Sequence, residues 1–107
     1  MSSSVKHLST GQVEAMARSE PAPLLLDVRT EPEWETHHIS GALLIPMHTL
    51  LQRLDELDRD RPVVVICEHG VRSERVAAYL AAEAGFSDVA TMDGGMSEWT
   101  GPKAYGA

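Results

Sequence analysis

The sequence predicts an α/β domain in which helices cover both faces of a central parallel sheet, and three observations support this. Short apolar runs such as 63–66 (VVVI) are typical of fully buried strands. Amphipathic or alanine-rich stretches such as 73–84 alternate with these runs. The connections are only a few residues long, which favours parallel strands joined by crossover helices.

Bulk composition limits the possible functions. The 107 residues are enough for one domain with a single core, and the net charge of −7 argues against nucleic acid or an anionic membrane as partner. No stretch has the length and apolarity of a membrane span or a secretory signal. The single cysteine rules out an internal disulfide and indicates a free thiol, so we expect a reducing, cytoplasmic location. One cysteine and scattered histidines do not give zinc spacing, so we expect no metal site.

The first half of the chain begins with residues 1–4, which we expect to be disordered, and the domain is expected to start at residue 5. A capping box at 9–12 predicts a helix that ends before the first proline. The run at 24–28 (LLLDV) predicts a second buried strand. Thr30 is expected to cap a short helix over 31–36.

The second half of the chain continues the alternation. The predicted segments are a strand at 43–45, a helix at 47–57, strands at 63–66 and 89–92 separated by a helix at 73–84, and a helix from residue 94. Within 47–57, four leucines recur at helical spacing, and all four are expected in the core: Leu50, Leu51, Leu54 and Leu57. The domain is expected to end at residue 102, before an irregular tail at 103–107.

The only cysteine, Cys67, follows the strand at 63–66 directly and precedes a glycine-containing turn and a helix. Functional sites collect at the carboxyl ends of parallel strands. Backbone N–H groups at such a turn and helix start favour negative charge, so a thiol placed there is more often ionised and reactive. The alternative is an inert buried thiol. Asp27 and Arg29, at the end of another strand, are expected to hold neighbouring turns together.

Four motifs, in order and at compatible spacing, resemble those of single-domain rhodaneses, a family of sulfurtransferases. The motifs are 25–29 with 31–34 (LLDVR, EPEW), 38–42 with a following Ile-Pro (HISGA), 67–73 (CEHGVRS) and 94–99 (GGMSEW). Together they extend over about residues 6–100. The resemblance implies a rhodanese-like three-layer domain, with about five short parallel strands and helices on both faces.

The resemblance also implies the chemistry. Cys67 would attack the outer sulfur of a small donor, namely thiosulfate, polysulfide or a persulfide, and carry it as a persulfide. The acceptor would be a thiophilic nucleophile such as cyanide, a protein thiol or a sulfur carrier. The loop that binds the substrate is expected to comprise Glu68, His69, Gly70, Val71, Arg72 and Ser73. No cofactor is required.

Several of these residues have more than one interpretation. Arg72 either binds an anionic donor or pairs with a carboxylate that rigidifies the loop. Ser73 either hydrogen-bonds the sulfur or caps the following helix. His69 either donates a proton or is simply exposed.

The sequence departs from the family pattern at three places. His37 and Ser40 stand where the family usually has Gly and Pro, in a turn away from the chemistry. Glu68 lies next to the thiol, where many members that use thiosulfate are basic. With Glu74 it offsets Arg72 and Arg75, so we expect weak capture of the thiosulfate dianion.

Two other classes compete with sulfur transfer. Related phosphatases and arsenate reductases have five residues between Cys and Arg, whereas only four separate Cys67 from Arg72. A shorter ring of N–H groups suits a single sulfur atom better than a tetrahedral oxyanion. A non-catalytic module that binds a partner or senses redox state is the other class, and members of that kind usually lack the cysteine.

Overall fold

The structure, a computed structural model, describes residues 4–107. Within that range, five parallel strands form one sheet in the order β1-β5-β4-β2-β3. The strands are β1 (Lys6–Leu8), β2 (Leu24–Asp27), β3 (Leu43–Leu44), β4 (Val63–Ile66) and β5 (Val89–Met92). The predicted α/β class is therefore confirmed, and β4 occupies the centre of the sheet.

The helices connect these strands. They are α1 (Thr10–Ala17), α2 (Glu31–Thr36) and α3 (Val71–Ala82), together with 3₁₀ helices at Met47–Glu56 and Gly95–Glu98. Both predicted helix starts are correct, because Ser9 and Thr30 cap α1 and α2 through reciprocal hydrogen bonds with Gln12 and Glu33.

Alternate residues of β4 point to opposite faces of the sheet, which gives the domain its three layers. Val63 and Val65 pack in a cluster with Leu80 of α3 and with the 3₁₀ helix at Met47–Glu56. Val64 and Ile66 pack in a second cluster that includes α1 and the C-terminal 3₁₀ helix. Since both faces are covered, the continuous apolar run of β4 is explained.

Some predicted boundaries are wrong. The helix expected over 73–84 is α3, which begins at Val71, because Gly70 takes the left-handed N-cap position with φ +91°. The helix expected over 47–57 is a 3₁₀ helix. Leu51, expected in the core, is 66% exposed, since neighbouring residues on a helix point in different directions and Leu50 takes the buried side. Strand β1 was not predicted from the sequence.

Both ends of the chain were expected to lack regular structure. Of the segment expected to be disordered, residues 1–3 lie outside the described residues, and Ser4 is exposed. Residues 103–107 run beside the turn after α2, where the Ala104 and His38 backbones exchange hydrogen bonds of 2.7 and 2.9 Å. In residues 4–107, none of the helices has both the length and the apolarity that a membrane span requires.

Candidate active site at the Cys67 loop

Cys67 lies at the carboxyl end of the central strand, with a side chain that is only 1% exposed. Its Sγ accepts hydrogen bonds from the backbone N–H groups of Gly70 at 3.1 Å and Ser73 at 3.2 Å. A thiol whose only role was to pack in the core would not need backbone N–H groups directed at its sulfur. These donors suit a thiolate or a persulfide anion, as a cradle of backbone N–H groups does for other anions.

The loop takes its shape from Gly70 and Ser73. Gly70 adopts a positive φ, and a Cβ there would lie 3.1 Å from the Gly94 nitrogen, so another residue would be strained and crowded. Ser73 is fully buried, and its Oγ lies 2.7 Å from Thr91 Oγ1 on β5. The expected capping role of Ser73 is therefore wrong. Its backbone N–H contacts the sulfur, while its hydroxyl ties α3 to the sheet.

The Gly94–Gly95 turn supports the loop from behind. The Met96 N–H donates to the Cys67 carbonyl at 2.8 Å, and the Ser97 N–H donates to the Glu68 carbonyl at 2.9 Å. A Cβ on Gly95 would lie 2.5 Å from the Cys67 carbonyl oxygen, so only glycine allows this approach. The glycine pair was visible in the sequence, but its contact with the loop was not.

Arg29 is a buried hub between β2 and the loop. Its guanidinium donates to both Asp27 carboxylate oxygens, to the backbone carbonyls of Glu33 and His37, and to Glu68 Oε1 at 3.0 Å. Burial disfavours the charged guanidinium, but the hydrogen bonds and charges of Asp27 and Glu68 outweigh it and raise the pKa of Arg29. Asp27 and Arg29 hold neighbouring turns together, as expected.

This hub corrects the interpretation of Glu68. Its carboxylate pairs directly with Arg29, and it acts on Arg72 only as a nearby charge, whereas the local sum of charges had treated it as a partner of Arg72. Glu74, the other acid in that sum, lies 3.7 Å from the imidazole of His7 on β1. The charge beside the sulfur therefore depends on contacts that sequence neighbours do not reveal.

Arg72 forms a two-pronged ion pair with Glu33 of α2. Its Nη1 and Nη2 donate to Glu33 Oε1 and Oε2 at 3.0 and 2.9 Å, and both side chains are 31% exposed. The hydrogen bonds from Arg72 lower the pKa of Glu33 to about 2, despite partial burial. Of the two interpretations of Arg72, the structure shows the carboxylate pair. His69 and Val71 are exposed at the mouth of the loop.

This combination of a parallel α/β sheet and a thiol under backbone amides defines the class of protein. A family model described as "Rhodanese-like domain" matches residues 9–102, and the chain belongs to that family. The predicted family membership is confirmed.

Individual proteins that resemble this chain have more specific names. The thiosulfate sulfurtransferase GlpE of Shewanella oneidensis is 39% identical over 97 residues, which cover 91% of this chain and 94% of that protein. A crystal structure of a rhodanese-like domain protein from Staphylococcus aureus matches with TM-score 0.86 and 29% identity, covering 96% of this chain and all of that one. A thiosulfate sulfurtransferase from Pseudomonas aeruginosa matches with TM-score 0.84 and 28% identity, covering 96% of this chain and 21% of that one. The predicted class of function, sulfur transfer, agrees with these names.

Proposed function

We propose that this protein is a thiosulfate sulfurtransferase in which Cys67 carries the transferred sulfur as a persulfide. The observation that carries the proposal is the pair of N–H groups, from Gly70 and Ser73, directed at Sγ. The names of the relatives support the same activity and the use of a small sulfur donor. The loop residues Glu68 to Ser73 form the donor site in this proposal.

The reaction has two balanced steps. In the first, the Cys67 thiolate attacks the outer sulfur of thiosulfate, an S–S bond forms, the sulfur–sulfur bond of the donor breaks, and sulfite leaves with the bonding electron pair. In the second, a nucleophile such as cyanide attacks the outer sulfur of the persulfide, thiocyanate leaves, and the thiolate returns. The backbone N–H groups of Gly70 and Ser73 stabilise the anionic sulfur in both steps.

The loop geometry supports sulfur transfer over phosphate or arsenate chemistry. Only four residues separate Cys67 from Arg72, and the guanidinium of Arg72 is already engaged by Glu33. A tetrahedral oxyanion in this loop would need more donors around it than a single sulfur atom does. A non-catalytic binding module has no need for amides aimed at a thiol.

The proposal includes the acceptor and the compartment. A protein thiol or a sulfur carrier is the proposed physiological acceptor, since either supplies a nucleophile of the kind that takes sulfur from a persulfide. The proposed compartment is the cytoplasm, because Cys67 must stay reduced between turnovers.

The test is a sulfurtransferase assay that follows thiocyanate from thiosulfate and cyanide. We expect ping-pong kinetics in the wild-type protein and no detectable turnover in Cys67→Ser, with circular dichroism confirming that the variant is folded. Ser87→Ala, a change at an exposed serine away from the loop, is the control and should be unaffected. Turnover that persists in Cys67→Ser, or hydrolysis of an aryl phosphate that depends on Cys67, would overturn the proposal.

A further inference from the structure

We infer that Glu33 is a positioning residue that determines donor specificity: by holding Arg72, it reduces the affinity of the loop for doubly charged sulfur donors relative to singly charged ones. The inference rests on the proposed function, because it concerns the donor site of the Cys67 loop. It assigns a role to a residue outside the loop, on α2.

The first step is the position of Arg72. It is the second residue of α3, close enough to the thiol that the charges of Cys67 and Glu68 raise the pKa of its guanidinium, after the larger effect of the Glu33 hydrogen bonds. A guanidinium at this place is well suited to a sulfonate group, because its fork of N–H donors matches such oxygens. The two prongs that would do this are both occupied by Glu33.

The second step is that Glu33 is itself held in place. Its Oε1 accepts hydrogen bonds from the Thr30 backbone N–H at 2.9 Å and from Thr30 Oγ1 at 3.1 Å, which completes the capping box of α2. Its lowered pKa keeps the carboxylate charged at any working pH. The acceptor for Arg72 is therefore permanently charged and pre-positioned.

The third step is the charge that a donor meets. Arg29 is paired with both Asp27 and Glu68, and Arg72 is paired with Glu33, so neither of these cations near the loop is left without a carboxylate partner. A dianion then gains little attraction beyond that of the backbone N–H groups. The Arg72–Glu33 pair is 31% exposed at both ends, so solvent and donors can compete for Arg72 once Glu33 is neutral.

The experiment uses Glu33→Gln, since glutamine preserves the capping box while removing the charge. We would measure kcat and KM with cyanide as acceptor and with two donors. Each donor has a transferable outer sulfur, but thiosulfate is a dianion and methanethiosulfonate is a monoanion. The expected result is a thiosulfate KM about twofold to fivefold lower, the range set by a half-exposed charge pair. The expected change for methanethiosulfonate is smaller, kcat stays unchanged, and the thiosulfate gain shrinks as salt is added.

Glu56→Gln is the matched control. Glu56 pairs with Arg53 through the same fork at 2.8 and 3.0 Å, on the exposed 3₁₀ helix. This variant should leave both donors unaffected. An unchanged thiosulfate KM in Glu33→Gln, or a fall in kcat that is equal for both donors, would overturn the inference, because either result means that the pair only stabilises the loop.

A binding arm separates failure of this inference from failure of the proposed function. Cys67→Ser lacks the attacking thiolate, so it should bind thiosulfate without reacting, and calorimetry should give a Kd about twofold to fivefold lower when Glu33→Gln is added. If the wild-type protein lacks turnover that depends on Cys67, the proposed function fails and this arm still decides the inference. Equal affinities in the two variants would overturn it.

Discussion

Two arginines connect the Cys67 loop to the β2–α2 region, and they do so in contrasting surroundings. Arg29 is 1% exposed and pairs with Asp27 and Glu68, whereas Arg72 is 31% exposed and pairs with Glu33. In both cases the arginine and a glutamate are 39 residues apart in the sequence. The same chemical contact therefore occurs once in the interior and once at the rim of the site.

Because the two ion pairs differ in exposure, we expect the Arg29 pair to stabilise the fold and the Arg72–Glu33 pair to affect binding. Removing one partner of a buried ion pair leaves a charge without solvent, so breaking the Arg29 hub should strongly destabilise the domain. A half-exposed pair contributes little net free energy to folding, so its partner can be replaced without unfolding the domain. The hub therefore fixes the loop, and the Arg72–Glu33 pair adjusts what the loop binds.

The largest loss of stability is expected for Arg29→Leu, which tests whether the buried arginine has a greater structural role than an exposed one. It leaves the buried Asp27 carboxylate uncompensated and should lower the free energy of unfolding by about 3–5 kcal/mol, measured by urea denaturation. Arg53→Leu, which removes an exposed arginine from its pair with Glu56, should cost far less. Equal losses in the two variants would mean that the hub has no special structural role.

The next prediction concerns Glu68→Lys, which reverses the charge beside Cys67. From the sequence this change would improve thiosulfate capture, but the structure predicts the opposite, since the lysine would face the buried Arg29 guanidinium. We expect a loss of about 1–3 kcal/mol in the free energy of unfolding and no decrease in the thiosulfate KM. Glu74→Lys makes the same charge change at an exposed site and should cost less than about 1 kcal/mol. A lower thiosulfate KM without a stability loss in Glu68→Lys would restore the sequence-based interpretation.

The smallest expected effect is the pH dependence of the Arg72–Glu33 pair. The pKa of Glu33 falls from 4.5 to about 2 on folding, so its contribution is present above pH 4.5 and is lost as the pH falls towards about 2. The difference in unfolding free energy between wild type and Glu33→Gln should be at most about 1 kcal/mol at neutral pH, because the pair is half-exposed. The difference should shrink through the acid range in urea titrations. A difference that stays constant down to pH 2 would show that the carboxylate charge is not its source.

Local patterns in the sequence were enough to predict most of the fold. The β-branched run of β4 and the capping boxes of α1 and α2 gave correct elements because each depends on residues close in the chain. β1 was missed because Lys6–Leu8 is a short edge strand with two polar residues and no apolar pattern. The start of α3 was misplaced because the left-handed geometry of Gly70 lets the helix begin two residues before Ser73.

The candidate site was predictable only in part. Cys67 and its loop could be identified because the thiol, the glycine and the helix are consecutive in the chain. The partners of Glu68 and Arg72 could not, because both contacts join residues that are 39 positions apart and depend on how β2 and α2 pack beside β4. The expectation of weak thiosulfate capture stays a prediction, and it now depends on Glu33, which pairs with Arg72.

The most direct test of the central claim is the intact mass of the protein after incubation with thiosulfate. The reduced protein should gain one sulfur atom, about 32 Da, on Cys67, and cyanide should remove it as thiocyanate. Cys67→Ser should gain nothing under the same conditions. An unmodified wild-type protein, or an adduct that forms equally on Cys67→Ser, would contradict the account of Cys67 as the sulfur carrier.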